Sequence, residues 1–304
     1  MTRRGFQAFL FPPETDSWLT ILRVGLGLQV VFFCGSLFRD WNQILARTGN
    51  GVISRDLAET LVSLESPCIP NVSWLTNMGM VVGLTEHTTI SLVWVLLCGF
   101  GVLLIIGLFT RLSAIGAWFI YLCVVKSSDL LVYGVDNLTT IGLFYLMISP
   151  LPGSQSLDHL RWRKKSRDPE LLGFFRRVLQ LHLCFVYFFG GLAKCLGAGW
   201  WDGSSLWRSL IRPPFNVIDP NILVHWKSLF PVGGMVICLL EVTYPIFIWP
   251  NRTRLVWLTG ILLMHFSIAI LMGMYLFAAI MIVLNVAAFG PGSLRRQPAA
   301  RCVV

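Results

Sequence analysis

The sequence predicts an all-α bundle of about eight transmembrane helices, and three observations predict it. Hydrophobic residues make up 55% of the 304-residue chain and charged residues only 13%, about half the charge of a soluble domain. Mean hydropathy is +0.70. Long apolar runs recur at bilayer length, about 20 residues each, and the basic residues gather in alternate connecting segments. Twelve Trp and 21 Phe in this background fit lipid-facing surface and interfacial belts. These features exclude a disordered chain, a nucleic-acid-binding module and an ordinary soluble enzyme.

The first apolar run is Trp18–Phe38. Thr89–Leu108 and Leu112–Val125 flank Arg111, and Tyr133–Ser149 and Phe174–Leu196 follow. The sixth run is Val232–Trp249. Leu255–Phe289 is too long for one crossing and carries Gly273 in its middle, so it is read as two short helices joined by a tight turn. One membrane domain covers residues 1–304, with outer loops at about 39–88 and 197–230; the second is rich in Trp and Pro and reads as re-entrant or interfacial.

Charge sets the expected orientation. With a cytoplasmic N-terminus, the inner segments hold fifteen cations against five acids, and the outer segments eight against nine. Seven of the inner cations fall in residues 151–177. The net charge of +9 is therefore a positive-inside signal, not a polyanion-binding patch. Both termini are expected in the cytoplasm, with Thr48 outside. The N-terminal run starts only at Trp18, has full span length and lacks a small-residue cleavage site, unlike a signal peptide. Six of eight cysteines lie in spans, Cys68 and Cys302 stand apart, and there is no CxxC, so neither a disulfide framework nor a zinc site is expected. No metal or nucleotide motif is present.

Ionisable residues within spans cost about 2.5–3.5 kcal/mol at mid-helix and point to function or helix association. Gln180, Cys184, Tyr187, Gly191 and Lys194 recur at helical spacing and share one stripe. Gly190 and Gly191 remove bulk beside Lys194, and Trp200-Trp201-Asp202-Gly203 follow. Lys194 is either a snorkelling lysine with an aromatic anchor or the polar centre of a site. Asp136 and Asn137 enter the fourth span at the same expected depth. They either orient Lys194 or cap a helix N-terminus. Arg23, Glu241 and His265 lie about 8, 12 and 16 Å from the inner side at 1.5 Å per residue. Those depths suggest a buried Arg23–Glu241–His265 chain, although Arg23, which can snorkel to the inner face, is read first as structural glue.

The order Arg23, Asp136-Asn137, Gln180…Tyr187…Gly190-Gly191…Lys194…Trp200-Trp201-Asp202-Gly203, Glu241…Pro245 and His265…Gly273…Phe277 resembles the HTTM, or horizontally transferred transmembrane, family across about residues 16–290. That family includes the membrane part of vitamin K-dependent γ-glutamyl carboxylases and bacterial proteins that mature a secreted toxin peptide. The resemblance implies a bacterial inner-membrane protein with an outer-side site, a reduced quinone oxidised by O2, and a base that removes a γ-proton from glutamate. It implies catalytic roles for Lys194, Asp136, Asn137, Glu241 and His265, and a cofactor pocket at Tyr187, Gly190, Gly191, Trp200 and Trp201. The carboxylases carry a lysine pair before Trp-x-Glu-Gly. This chain keeps the first as Lys194 and has Cys195 in the second place, where a thiol of ordinary pKa near 8.5 is a different reagent. No counterpart of the carboxylases' large extracytoplasmic domain is expected in it. The leading reading is an enzyme or maturation factor acting on a secreted peptide or lipid-like substrate. A non-catalytic scaffold is the second, and a transporter the third.

Overall fold

The computed structural model describes residues 3–47, 54–128, 133–162 and 168–290. Among these, all regular structure is helical: α1 (Arg3–Leu10), α2 (Ser17–Ser36), α3 (Trp41–Leu45), α4 (Arg55–Glu65), α5 (Val72–Val81), α6 (Glu86–Ile106), α7 (Thr110–Ser127), α8 (Gly134–Ile148) and α9 (Leu157–Trp162). Then come α10 (Pro169–Leu196), α11 (Ala198–Trp201), α12 (Ser204–Ile211), α13 (Pro220–Val224), α14 (Phe230–Val242), α15 (Tyr244–Phe247), α16 (Asn251–Met272) and α17 (Tyr275–Phe289). Four of them, α2, α6, α10 and α16, are long and apolar enough to cross a membrane, and α8 and α17 are shorter apolar helices. The termini and Thr48, on which the expected orientation bears, lie outside the described residues, as do Arg163, Lys164, Lys165, Arg167, Arg295, Arg296, Arg301 and Cys302. The chain divides into two compact units, Leu19–Arg167 and Met1–Trp18 with Asp168–Val304.

In the unit Leu19–Arg167, α2 and α6 meet where a Cβ on Gly27 would lie 2.8 Å from the Gly101 carbonyl oxygen. Such close approach needs glycine. Helix α6 stops at Gly107, whose φ of 75° only glycine adopts without strain. Its last carbonyls would be orphans, and Arg23 takes them. Its guanidinium donates to the carbonyls of Leu104 and Ile105, the latter at 2.8 Å, and to that of Gln155 at 2.7 Å. Arg23 is 3% exposed, its guanidinium taken up by these carbonyls. The expected Arg23–Glu241–His265 chain is corrected accordingly: the arginine caps a helix end. Asp158 does the converse job at the start of α7, accepting from Phe109 N, Thr110 N and Thr110 Oγ1 at 2.7–2.8 Å.

The segment expected as a loop at 39–88 contains α3, α4 and α5. Ser54, Asn71 and Thr85 each accept from a backbone N–H three residues on, which is standard N-capping. Buried Glu59 accepts from Ser127 Oγ at 2.5 Å and Ser73 N at 3.2 Å, while Arg55 bonds Glu86 at 3.0 Å and the Leu45 carbonyl at 2.7 Å.

In the other unit, α10 begins five residues before the apolar run, with Asp168 accepting from Glu170 N and Pro169 in the first turn. Two basic residues expected in the preceding loop are therefore helical and packed. Arg176 pairs with Glu14 at 2.8 Å, and the Arg177 guanidinium lies 4.5 Å from the Phe9 ring centroid and 4.8 Å from that of Trp249. The sixth apolar run is not one helix. It ends as α14 at Val242 and restarts as α15, whose Pro245 lacks the N–H a continuous helix would need. Gly273, at φ 68°, separates α16 from α17, the two-helix reading of the long apolar tract.

Candidate functional site: a lysine–glutamate pair between α10 and α14

The α10 stripe faces inward: Gln180, Cys184, Tyr187 and Gly191 are all buried, whereas Phe185, Phe188, Phe189 and Leu192 on the remaining surface are exposed. Gly191 is where α14 crosses. A Cβ there would lie 2.5 Å from Val242 N and 2.8 Å from Glu241 Cβ. Because the backbones come this close, Lys194, three residues further along α10, reaches Glu241: Nζ donates to Oε2 at 2.5 Å. The lysine side chain is 27% exposed and the glutamate 9%. Trp200 covers the pair from α11, its ring centroid 5.6 Å from Nζ, a cation–π contact of about 0.5–2 kcal/mol. Two charges withdrawn from water are tolerated here because each compensates the other.

One helical turn before Gly191, Tyr187 anchors a second polar cluster. Asn285 Nδ2 donates to the Met281 carbonyl at 2.8 Å and to Tyr187 Oη at 2.7 Å, and Asn285 Oδ1 accepts from Tyr244 Oη at 2.8 Å. The Met281 carbonyl can only accept, which fixes the amide's orientation. Tyr187 Oη therefore accepts from Asn285 and directs its own proton to His265 Nε2, 2.8 Å away. That places the histidine proton on Nδ1. Yet His265 is 2% exposed and its Nδ1 has no hydrogen-bond partner among the described residues. A buried unmade donor costs about 1–3 kcal/mol, so Nδ1 marks a place for an acceptor atom of a ligand or an ordered water. Asn285 was not among the residues singled out in the sequence. The signal was there, since it is the sole polar side chain between Leu276 and Phe289.

The other expected site residues divide between the two units. Asp136 belongs to the unit Leu19–Arg167, where Oδ1 accepts from Tyr121 Oη at 2.9 Å and Oδ2 from Tyr133 N at 3.1 Å. It closes the first turn of α8, the capping alternative, and the acid that holds Lys194 is Glu241. Asn137 is exposed on the same turn. Trp201 donates its Nε1–H to the Cys195 carbonyl at 2.7 Å and is 44% exposed. Gly190 flanks the pair, with space for a Cβ 3.6 Å from Glu241 Oε2.

The Trp-Asp-Gly element is a turn. Asp202 Oδ1 accepts from Ser204 N at 2.8 Å, and bonds from Ser204 hold the carboxyl below the usual carboxylate range. Gly203 adopts φ 79°, and a Cβ there would lie 2.5 Å from Pro231 N. The motif thus seats α11 on α14 and sets Trp200 over the ion pair. With this arrangement in place, the family model described as HTTM domain matches residues 74–291. The chain belongs to the HTTM family. No curated protein and no solved structure matched it. The matched region contains the whole HTTM site described above, from Tyr187 to Asn285, while Arg23 falls outside it.

Proposed function

We propose that this integral membrane HTTM protein is an enzyme of a bacterial inner membrane that modifies or matures a secreted peptide or lipid-like substrate at the outer face, with Lys194 and Glu241 as its acid–base pair. The observation that carries this reading is the 2.5 Å Lys194–Glu241 hydrogen bond within helices of an apolar bundle. Held together in such surroundings, each group is placed to exchange a proton with the other. A proton passed from Nζ to Oε2 leaves an amine, which is a base, beside a carboxylic acid, which can return the proton. Trp200 limits water at Nζ, and the partial exposure of Lys194 gives a substrate access to the amine. Eight crossings with both termini in the cytoplasm belong to the same proposal.

The cofactor implied by the family resemblance is a reduced quinone, and two separate features would suit one, a buried donor and an apolar cavity whose lining does not include it. The His265 Nδ1 donor is buried and unpartnered, suited to a quinone oxygen. A cavity of about 500 Å³ between α12, α14 and α16, lined by Leu206, Val236, Leu240, Gly260, Leu263 and Leu271, suits an isoprenoid or acyl chain. Such a quinone would supply reducing equivalents; Tyr187 and Asn285 would hold the imidazole tautomer. Extraction of the purified full chain should release quinone at near one equivalent, and bulk phospholipid alone would remove the cofactor from the proposal.

The scaffold reading has one observation in its favour, since the same pair clamps α10 to α14. Lys194→Arg separates the two readings. Arginine keeps the charge and can pair with Glu241 but does not give up its proton. Exported peptides and extractable lipids from cells carrying each form, matched for membrane abundance, can be compared by mass spectrometry. We expect at least about a hundredfold loss of one modified species, the low end of general acid–base contributions. An unchanged exported profile would favour the scaffold.

A further inference from the structure

The contacts that build the site also bring two cysteines together. Helices α10 and α14 run in opposite directions in register: Gly191 packs on Glu241 and Val242, Lys194 meets Glu241, and Gly234 lies against the Trp200 backbone. Cys195, one residue beyond Lys194, thereby falls level with Cys238, which is three residues before Glu241 and on its face of α14. The register thus sets the two cysteines on the facing surfaces of α10 and α14. Neither is in a disulfide, Cys238 is fully buried, and Cys195 is half-buried. Packing alone does not require two cysteines at facing positions, since each behaves as a small apolar residue.

We propose that Cys195 and Cys238 form a reversible dithiol–disulfide couple beside the Lys194–Glu241 pair, with a disulfide-bearing compound or protein as its redox partner. Cys195 is the attacking thiol because it is the more accessible, and Cys238 is the resolving one. The Cys195 thiolate attacks one sulfur of the partner's disulfide; the S–S bond breaks, and the departing thiolate takes up the proton that Cys195 released. Cys238 then attacks the Cys195 sulfur of the mixed disulfide and expels the second partner thiol, which takes the Cys238 proton. Two electrons and two protons pass from the protein to the partner, and one S–S bond is exchanged for another. Oxidation links α10 to α14 within one turn of Lys194 and Glu241, so redox state and site geometry are coupled. The proposal does not depend on the acid–base role of the pair.

The test uses the purified full chain in mild detergent, incubated with oxidised glutathione, then acid-quenched, denatured, labelled with a maleimide and mapped by peptide mass spectrometry. The expected result is a peptide cross-linked through Cys195 and Cys238, with labelling of both falling together by about tenfold or more and returning after dithiothreitol. A cross-link between Cys34 on α2 and Cys98 on α6 would give a different peptide. In Cys238→Ser the attacking thiol has no resolving partner, so Cys195 should accumulate as its glutathione adduct; in Cys195→Ser, Cys238 should remain unmodified. Full labelling of both cysteines in the wild-type chain, or a glutathione adduct on wild-type Cys195 with Cys238 still labelled, would overturn the proposal. The wild-type map decides the matter even if a variant fails to fold.

Discussion

Replacing Glu241 by leucine should lower the stability of the purified protein by about 3 kcal/mol, read as a drop in thermal unfolding midpoint at fixed detergent concentration. Removing one partner of a buried ion pair typically costs about 3–5 kcal/mol, because the other charge stays behind uncompensated. The lower end applies, since Lys194 is 27% exposed and recovers some hydration. The glutamate has no comparable escape, lying 9% exposed against α10. An unchanged midpoint would mean that Lys194 reaches water unaided, and the pair would then carry no structural load.

The second large effect belongs to Gly191, and its neighbour supplies the control. A Cβ on Gly191 would meet the Val242 backbone nitrogen at 2.5 Å, and backbone cannot step aside as a side chain can. Alanine there must push α14 away from α10, an overpacking cost of about 1–3 kcal/mol, and the same displacement lengthens the Lys194–Glu241 hydrogen bond. At Gly190 the nearest atoms to a Cβ are 3.6 and 3.8 Å away, ordinary van der Waals contact. Gly191→Ala should therefore lose stability and function together, whereas Gly190→Ala should behave like the parent chain. Equal behaviour of the two variants would show that the helices do not cross at Gly191.

Much of the helical framework was legible because a span leaves its mark in every residue. The run Trp18–Phe38 became Ser17–Ser36, and Gly273 divided the last tract where a left-handed turn was needed. The inward stripe of α10 was equally legible, since helical spacing alone defines a face. Spacing says which residues share a face but not which face meets it. Depth arithmetic placed Glu241 along an unbroken sixth helix and paired it with Arg23. In the structure α14 ends at Val242, so Glu241 sits in a last turn opposite the last turn of α10, where Lys194 is. Pro245 was the signal that the helix breaks. Arg23 serves structure, as its favoured reading had it, but by taking helix-end carbonyls instead of snorkelling. The caps at Ser54 and Asn71 were readable in the sequence and would have revealed helices within the segment 39–88.

The most direct test of Lys194 and Glu241 as one coupled unit is a double-mutant cycle of Lys194→Met and Glu241→Leu, with unfolding free energy as the readout. Each single change leaves an unpaired charge, whereas the double change leaves two apolar side chains of similar size, which is often close to neutral. The expected result is that the double variant is more stable than Glu241→Leu alone, with an interaction energy of about 2 kcal/mol, within the range for residues in contact. Additive effects of the two substitutions would contradict the pairing and with it the proposed acid–base centre.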